Sequence, residues 1–351
     1  MSQPEISGPR PRACAVCHKK DGLMRCSACQ AVHYCGRDHQ TSDRPTHKKA
    51  CTIVKKARVK LDQEETNLRE LPSDFLTPPN LFENAVGHFW GYIETRPYMR
   101  ARYGLVDKLL MNFGGAGAPV DVVQTCLDHL LDMIRLCRSD NMGVRDSIPA
   151  LYIRLGRDQD AYDFMKWYGT TGEEMDYDWS NIDLPFLDVK DADVLEAPVK
   201  RWTSKYLSLS HAMCVSLIKI HVLLDLVAMQ NVTRALRGNS LPPEIIDIIR
   251  SHVISRTVSA RFLRADTNEV SRHIKTIKAQ LKQIFRGIRT YNPSFWPAML
   301  EDGYAAMAAR PNEPYAHQTR EEACLVLSFN FVSWDETPGA VNIIRCLAKE
   351  Y

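Results

Sequence analysis

Beyond residue 80, apolar residues recur every three to four positions through most of the chain, the period of a helix with one buried face. Pro119 and Asp121 suit a helix start, and after them Val123, Cys126, Leu127, Leu130, Ile134 and Cys137 keep that spacing. Two further helical pieces occupy 141–168 and meet at Gly156-Arg157-Asp158. Residues 170–200, acidic and aromatic with little periodicity, read as a long packed loop. A long apolar helix follows from 208 to 235; its His211, Cys214 and His221 share a face but read as core rather than as a metal site. Leu241-Pro242-Pro243-Glu244 opens another helix. Val270, Ile274, Ile277, Leu281, Ile284 and Ile288 then form an amphipathic seam, with Arg272, Lys275, Lys278, Lys282 and Arg286 off it. That seam predicts packing within the chain, with self-association as the alternative. The rest reads as mostly helical between turns at Asn292-Pro293, Arg310-Pro311 and Thr337-Pro338-Gly339. The expected fold class is mainly α, with an all-helical body over 81–351.

The segment ahead of the body follows different rules. Six of the eleven cysteines fall between Cys14 and Cys51. They belong to four successive pairs, Cys14-x2-Cys17, Cys26-x2-Cys29, Cys35-x3-His39 and His47-x3-Cys51. An x2 pair suits a tight turn aiming two thiolates at one ion, and an x3 pair sets two ligands one helical turn apart. Eight ligands make two tetrahedral sites, and thiolate-rich sets favour zinc over magnesium or calcium. With all positions filled by protein, such sites are structural and not catalytic. The expected cofactors are two structural zinc ions.

This segment resembles the MYND zinc finger. Tyr34-Cys35-x3-His39-Gln40, Asp43 and the closing His47-x3-Cys51 fall in that family's register. The resemblance implies interleaved sites, with Cys14, Cys17, Cys35 and His39 on one zinc and Cys26, Cys29, His47 and Cys51 on the other. His39 stands where the family usually has cysteine, a replacement zinc tolerates. Ser27 and Gln40 match positions that contact short proline-rich peptides in MYND fingers, while Arg44 replaces the tryptophan that helps grip them. His18 and His33 are spare imidazoles. The domain boundaries that follow are a disordered tail at 1–13, the finger at 14–51, a basic helix and linker at 52–80, and the body. Within the body, Tyr152, Gly156 and Ala161 make 141–168 resemble a tetratricopeptide-type hairpin, and the LPPEIIDII run resembles the opening of an F-box. The finger together with the RLGRDQDAYDF region resembles MYND-containing proteins predicted in fungi, a resemblance that brings no activity with it.

Charge alters the picture modestly. The net charge is +3, but residues 1–62 hold 13 Lys+Arg against 5 Asp+Glu, which leaves −5 for the rest. Two zinc ions with six thiolates sum to −2, which Lys19, Lys20, Arg25 and Arg37 offset, so the basic block does not by itself indicate nucleic acid. Lys219, His221 and Asp225 interrupt the longest apolar stretch, so no membrane span is expected. The N-terminal residues lack the apolar run of a secretory signal, and an intracellular location, nucleus or cytoplasm, is expected. No G-x4-G-K-[ST], G-x-S-x-G or H-E-x-x-H occurs. SET-type lysine methyltransferases, some of which carry MYND fingers, have an Asn-His dipeptide that this chain lacks. The expected function is therefore that of a non-enzymatic adapter whose finger binds protein partners through short proline-rich or acidic segments. The alternative is an F-box-like ubiquitin-ligase adapter.

Overall fold

The computed structural model of the chain describes residues 8–235 and 267–350 and is mainly helical. Among the described residues the one sheet is a pair of two-residue strands, β1 (Met24–Arg25) antiparallel to β2 (His33–Tyr34). The chain divides into two units, Met1–Leu155 with Asp178–Pro185 and Gly156–Tyr177 with Phe186–Tyr351.

The first unit rests on α1 (Arg37–Arg69). Its buried residues, Val54, Leu61 and Leu68, recur every seven positions and form a narrow stripe, and α1 packs on α3 (Arg96–Phe113). A single-turn α2 (Leu81–Asn84) lies between them in sequence. α3 packs on α4 (Val120–Leu136), whose predicted apolar positions Val123, Cys126, Leu127, Leu130 and Ile134 are all buried. Arg102 of α3 pairs with Asp132 of α4 and donates from Nε to His129 Nδ1 at 3.1 Å. Burial, then the charge of Arg102, pushes His129 down to about 4, so at neutral pH it is an uncharged acceptor. α3 stops at Gly114, where a Cβ would meet the Leu110 carbonyl oxygen at 2.6 Å. Arg154, at the end of α5 (Ile148–Arg154), donates to the Gly114 and Gly115 carbonyls at 2.8 and 2.9 Å, which fixes the loop Gly114-Gly115-Ala116-Gly117.

Several boundaries differ from those the sequence suggests. The basic helix, expected within 52–80, begins at Arg37 and runs through Pro45 without interruption. It carries both the last zinc-ligand positions and the stripe that meets α3, so finger and first helices share one unit, and the connecting segment shrinks to 70–80. There the Asp74 carboxylate accepts from the backbone of Leu76 and Thr77, each at 2.8 Å. Residues 8–13, expected as part of a disordered tail, are ordered: Arg10 N donates to Ala118 O at 2.8 Å and Val120 N donates to Arg10 O at 2.9 Å. Local pattern cannot reveal a partner more than 100 residues away.

The expected tetratricopeptide-type hairpin spans the boundary between the units. Its two helices exist, α5 and α6 (Asp158–Gly169), but the division between units falls at Leu155 and Gly156. α5 packs on α4, whereas α6 packs on α7 (Leu209–Ala235). Each helix thus contributes to the core of its own unit.

In the second unit α7 is central, contacting α6, α8 (Thr267–Tyr291), α10 (Arg320–Asp335) and α11 (Ala340–Lys349), while α9 (Phe295–Ala308) packs on α10. By length and composition the stretch Leu209–Asn231 is apolar enough to cross a membrane, yet 78% of its most apolar window is buried inside the protein. Its polar residues have internal partners. Lys219 Nζ donates to Val194 O, Glu196 O and Gln280 Oε1 at 2.9, 3.0 and 2.7 Å. His221 lies between Asp158 Oδ2 and Thr337 Oγ1 at 2.7 and 2.9 Å, and Cys214 Sγ donates to Asn330 Oδ1 at 3.3 Å. His211, Cys214 and His221 are thus buried core residues held by separate neighbours. All six seam residues of α8 are buried, and α8 packs on α7 within the chain. The F-box-like segment from Leu241 lies outside the described residues.

Candidate metal centre

Two local turns of the same kind start the finger. His18 N donates to Cys14 O at 3.0 Å, and Gln30 N donates to Cys26 O at 2.9 Å. Four residues after each first cysteine the backbone turns left-handed, at His18 (φ 59) and Gln30 (φ 55). This curls each Cys-x2-Cys pair around a point, and it gives His18 a backbone role rather than a ligand role. The short β1–β2 pair sets the second turn beside Tyr34-Cys35, and Cys14 bridges His33 in parallel. α1 then presents His39, His47 and Cys51 at four- and eight-residue spacing on one side.

The ligand atoms of Cys14, Cys17, Cys35 and His39 lie within 4.8 Å of one another, as do those of Cys26, Cys29, His47 and Cys51. In the first set Cys17 Sγ is 3.5 Å from Cys35 Sγ, and His39 Nδ1 is 3.1 Å from Cys35 Sγ and 3.5 Å from Cys14 Sγ. In the second, Cys26 Sγ is 3.8 Å from Cys51 Sγ and Cys29 Sγ is 3.6 Å from His47 Nε2. A zinc tetrahedron with ordinary bond lengths has S···S edges of about 3.8 Å and S···N edges of about 3.5 Å. Both clusters therefore fit one zinc ion each. The imidazoles differ in using Nδ1 at His39 and Nε2 at His47.

Protonation separates the thiols. Burial pushes Cys14 up, but hydrogen bonds from the backbone of Cys17, Val16 and Cys35 together outweigh it and hold the thiol at about 5. Cys26 is likewise held at about 6, burial being overcome by the Cys29 backbone and His47. Burial pushes Cys29 up to about 12, and contact with the Cys17 thiol pushes Cys35 up to about 11. Cys14 and Cys26 are thus ready thiolates, and zinc binding displaces protons from Cys29 and Cys35.

Residues with no ligand signature brace the clusters. Arg58 Nε donates to Cys29 O at 2.8 Å, tying the second turn to α1. Tyr34 Oη donates to Asp43 Oδ2 at 2.7 Å, and the His47 ring lies 6.0 Å from Tyr34 and 5.8 Å from Phe113 of α3. Asp121, at the start of α4, takes two bonds from Arg12 at 2.8 and 2.9 Å, with Arg25 at 3.9 Å and His33 Nε2 at 3.6 Å. The Arg12 hydrogen bond holds the Asp121 carboxyl below its ordinary value, and burial holds His33 below its own, so His33 is a neutral partner of Asp121. Of the expected peptide contacts, Ser27 is exposed on the second turn, while Gln40, half-buried, and Arg44, exposed, lie one turn apart on α1.

Residues 14–51 match the family description of the MYND finger. Both zinc clusters lie within that match. This segment is a MYND finger. Its family is one of zinc-binding protein-interaction domains, and the two tetrads fit the two structural zinc ions of such a finger. A Rho GTPase-activating protein of Dictyostelium discoideum, gacZ, is 32% identical over 75 residues, which are 20% of this chain and 7% of that protein. No solved structure matches the chain with significance.

Proposed function

We propose that the protein is a non-enzymatic adapter that uses its MYND finger and the solvent face of α1 to hold a partner segment rich in proline and acid. The observation that carries this reading is the double use of α1. One side supplies His39, His47 and Cys51 to the zinc clusters. On the adjoining face, about a quarter turn round, the exposed residues Arg37, Arg44, Lys48 and Lys55 are spaced by 7, 4 and 7 positions, close to whole turns, and make a cationic line roughly 27 Å long. Lys49 and Lys56, also exposed, stand about 100° further round the helix. A segment gripped by Ser27, Gln40 and Arg44 would continue along this line, and Arg44 attracts carboxylates where an aromatic wall would attract bare prolines. Zinc clusters closed by protein ligands leave no position for a substrate, which supports binding without catalysis. Ligand thiols that must stay reduced suit an intracellular location, nuclear or cytoplasmic.

Calorimetric titration of the full chain with neutral and acidic versions of one proline-rich peptide tests this. The acidic peptide should bind more tightly, lose affinity as salt rises, and weaken further with Lys48→Gln and Lys55→Gln. Equal affinity for both peptides, unchanged by Arg44→Trp, would overturn it.

A further inference from the structure

The basic positions of α8 that stand off its apolar seam meet a loop of the second unit in an arrangement the finger does not account for. Lys282 and Arg286 are four residues apart and so share a face of α8. Gly287, next to them, lets the backbone of residue 203 approach: a Cβ there would lie 2.9 Å from the Thr203 carbonyl oxygen and 3.0 Å from its Cα. Glycine is a poor choice inside a helix, and this approach is its steric reason. The approach brings Lys205 to the same place as Lys282 and Arg286, around a cavity of about 300 Å3 whose other lining residues include Thr203, Ser204 and Thr290. The residues lining it include three cations and no acid. Glu350 is not among those residues, but its carboxylate lies 2.6 Å from Lys282 Nζ.

We propose that this cavity binds a small phosphomonoester, either a soluble polyol phosphate or the phosphorylated headgroup of an inositol lipid. A dianionic phosphate presents three oxygens, which match one guanidinium fork and two ammonium groups. Hydroxyl-bearing residues in the lining suit a polyol beyond the phosphate, and the volume sits at the low end of the range for small-ligand sites, larger than a bare phosphate needs. Glu350 already places a carboxylate on Lys282 and acts as an internal competitor.

The test is titration of the full-length, zinc-loaded protein with inositol trisphosphate and with inorganic phosphate, and co-sedimentation with phosphatidylcholine vesicles carrying a phosphatidylinositol bisphosphate. Saturable one-site binding of inositol trisphosphate is expected, with inorganic phosphate weaker. Lys205→Gln and Arg286→Gln should each weaken it by at least about fivefold, as loss of a charged hydrogen bond does. Glu350→Gln should strengthen it, and Lys275→Gln, on the same helix but outside the cavity, should leave it unchanged. Vesicle recruitment lost with Arg286→Gln identifies the lipid as the source, and binding of the free compound without recruitment identifies a soluble phosphate. Absence of saturable binding, or an equal loss with Lys275→Gln, would overturn the proposal, the latter by reducing it to general attraction of polyanions.

Discussion

At the scale of single residues, the chain shows how neighbours decide what a titratable group does. His33 and His39 are both imidazoles of the finger, six positions apart. His33 is buried against Asp121, whereas His39 turns Nδ1 toward Cys14 and Cys35. Nδ1 is the ring nitrogen nearer the backbone, so a thiolate with its longer zinc bond can stand in for it. His39→Cys should keep two zinc ions per chain by elemental analysis, and His39→Ala should weaken one of them in chelator competition. Loss of zinc from His33→Ala but not from His39→Ala would show the ligand register to be wrong. Lys219 is the opposite case, a charge enclosed by carbonyl and amide oxygens. Burial pushes it down to about 8, below the value of about 10.4 in an unfolded chain. Between those two values the unfolded state binds more protons, so this group makes stability rise with pH across that window, by up to about 3 kcal/mol. Lys219→Met should remove that rise from the difference between the two stability–pH curves measured by urea unfolding. It should also destabilise at pH 7, because the Val194 and Glu196 carbonyls and Gln280 lose their donor.

At the scale of elements, α1 links metal to core. Leu61 is 7% exposed in the middle of the stripe of buried residues. Leu61→Ala should cost about 2–4 kcal/mol in urea unfolding of the first unit and should also ease zinc removal by a chelator, since the helix that loosens holds three of the eight ligands. A destabilised unit with unchanged zinc retention would mean that the two halves of α1 act independently. The elements that could be read from sequence were those whose signal is local. The stripe of α4 and the seam of α8 repeat every three to four residues, and both are buried as that period requires. The start of α1 was hidden because its first turns carry polar residues, ligands and Pro45 in place of an apolar stripe. At 141–168 the two helices have the expected lengths and turn, but which core each joins is set by residues far along the chain.

For the whole molecule, the same contrast separates ligands from braces. The four ligand pairs announce themselves by two- and three-residue gaps, but Arg58, Phe113 and Asp121 carry no spacing signal because they reach the finger from 29 or more residues away. Those braces change what metal removal should do. A free-standing finger would unfold alone over 14–51. Here zinc loss frees α1 at its ligand end, undoes the turns that place His33 and Tyr34, and so releases the contacts with Phe113 and Asp121. Chelation should therefore strip amide-exchange protection from 14–51 and lower it through the rest of α1, α3 and α4, while α7 to α11, which have a separate core, keep theirs. Acid should act in the same direction, because Cys29 and Cys35, pushed up to about 12 and about 11, regain protons readily and compete with zinc as pH falls. Exchange mass spectrometry with and without a chelator, followed by restoration with zinc, measures this segment by segment. Loss confined to 14–51, with α3 and α4 unchanged, would show that the braces carry little energy and that the finger is an independent module after all.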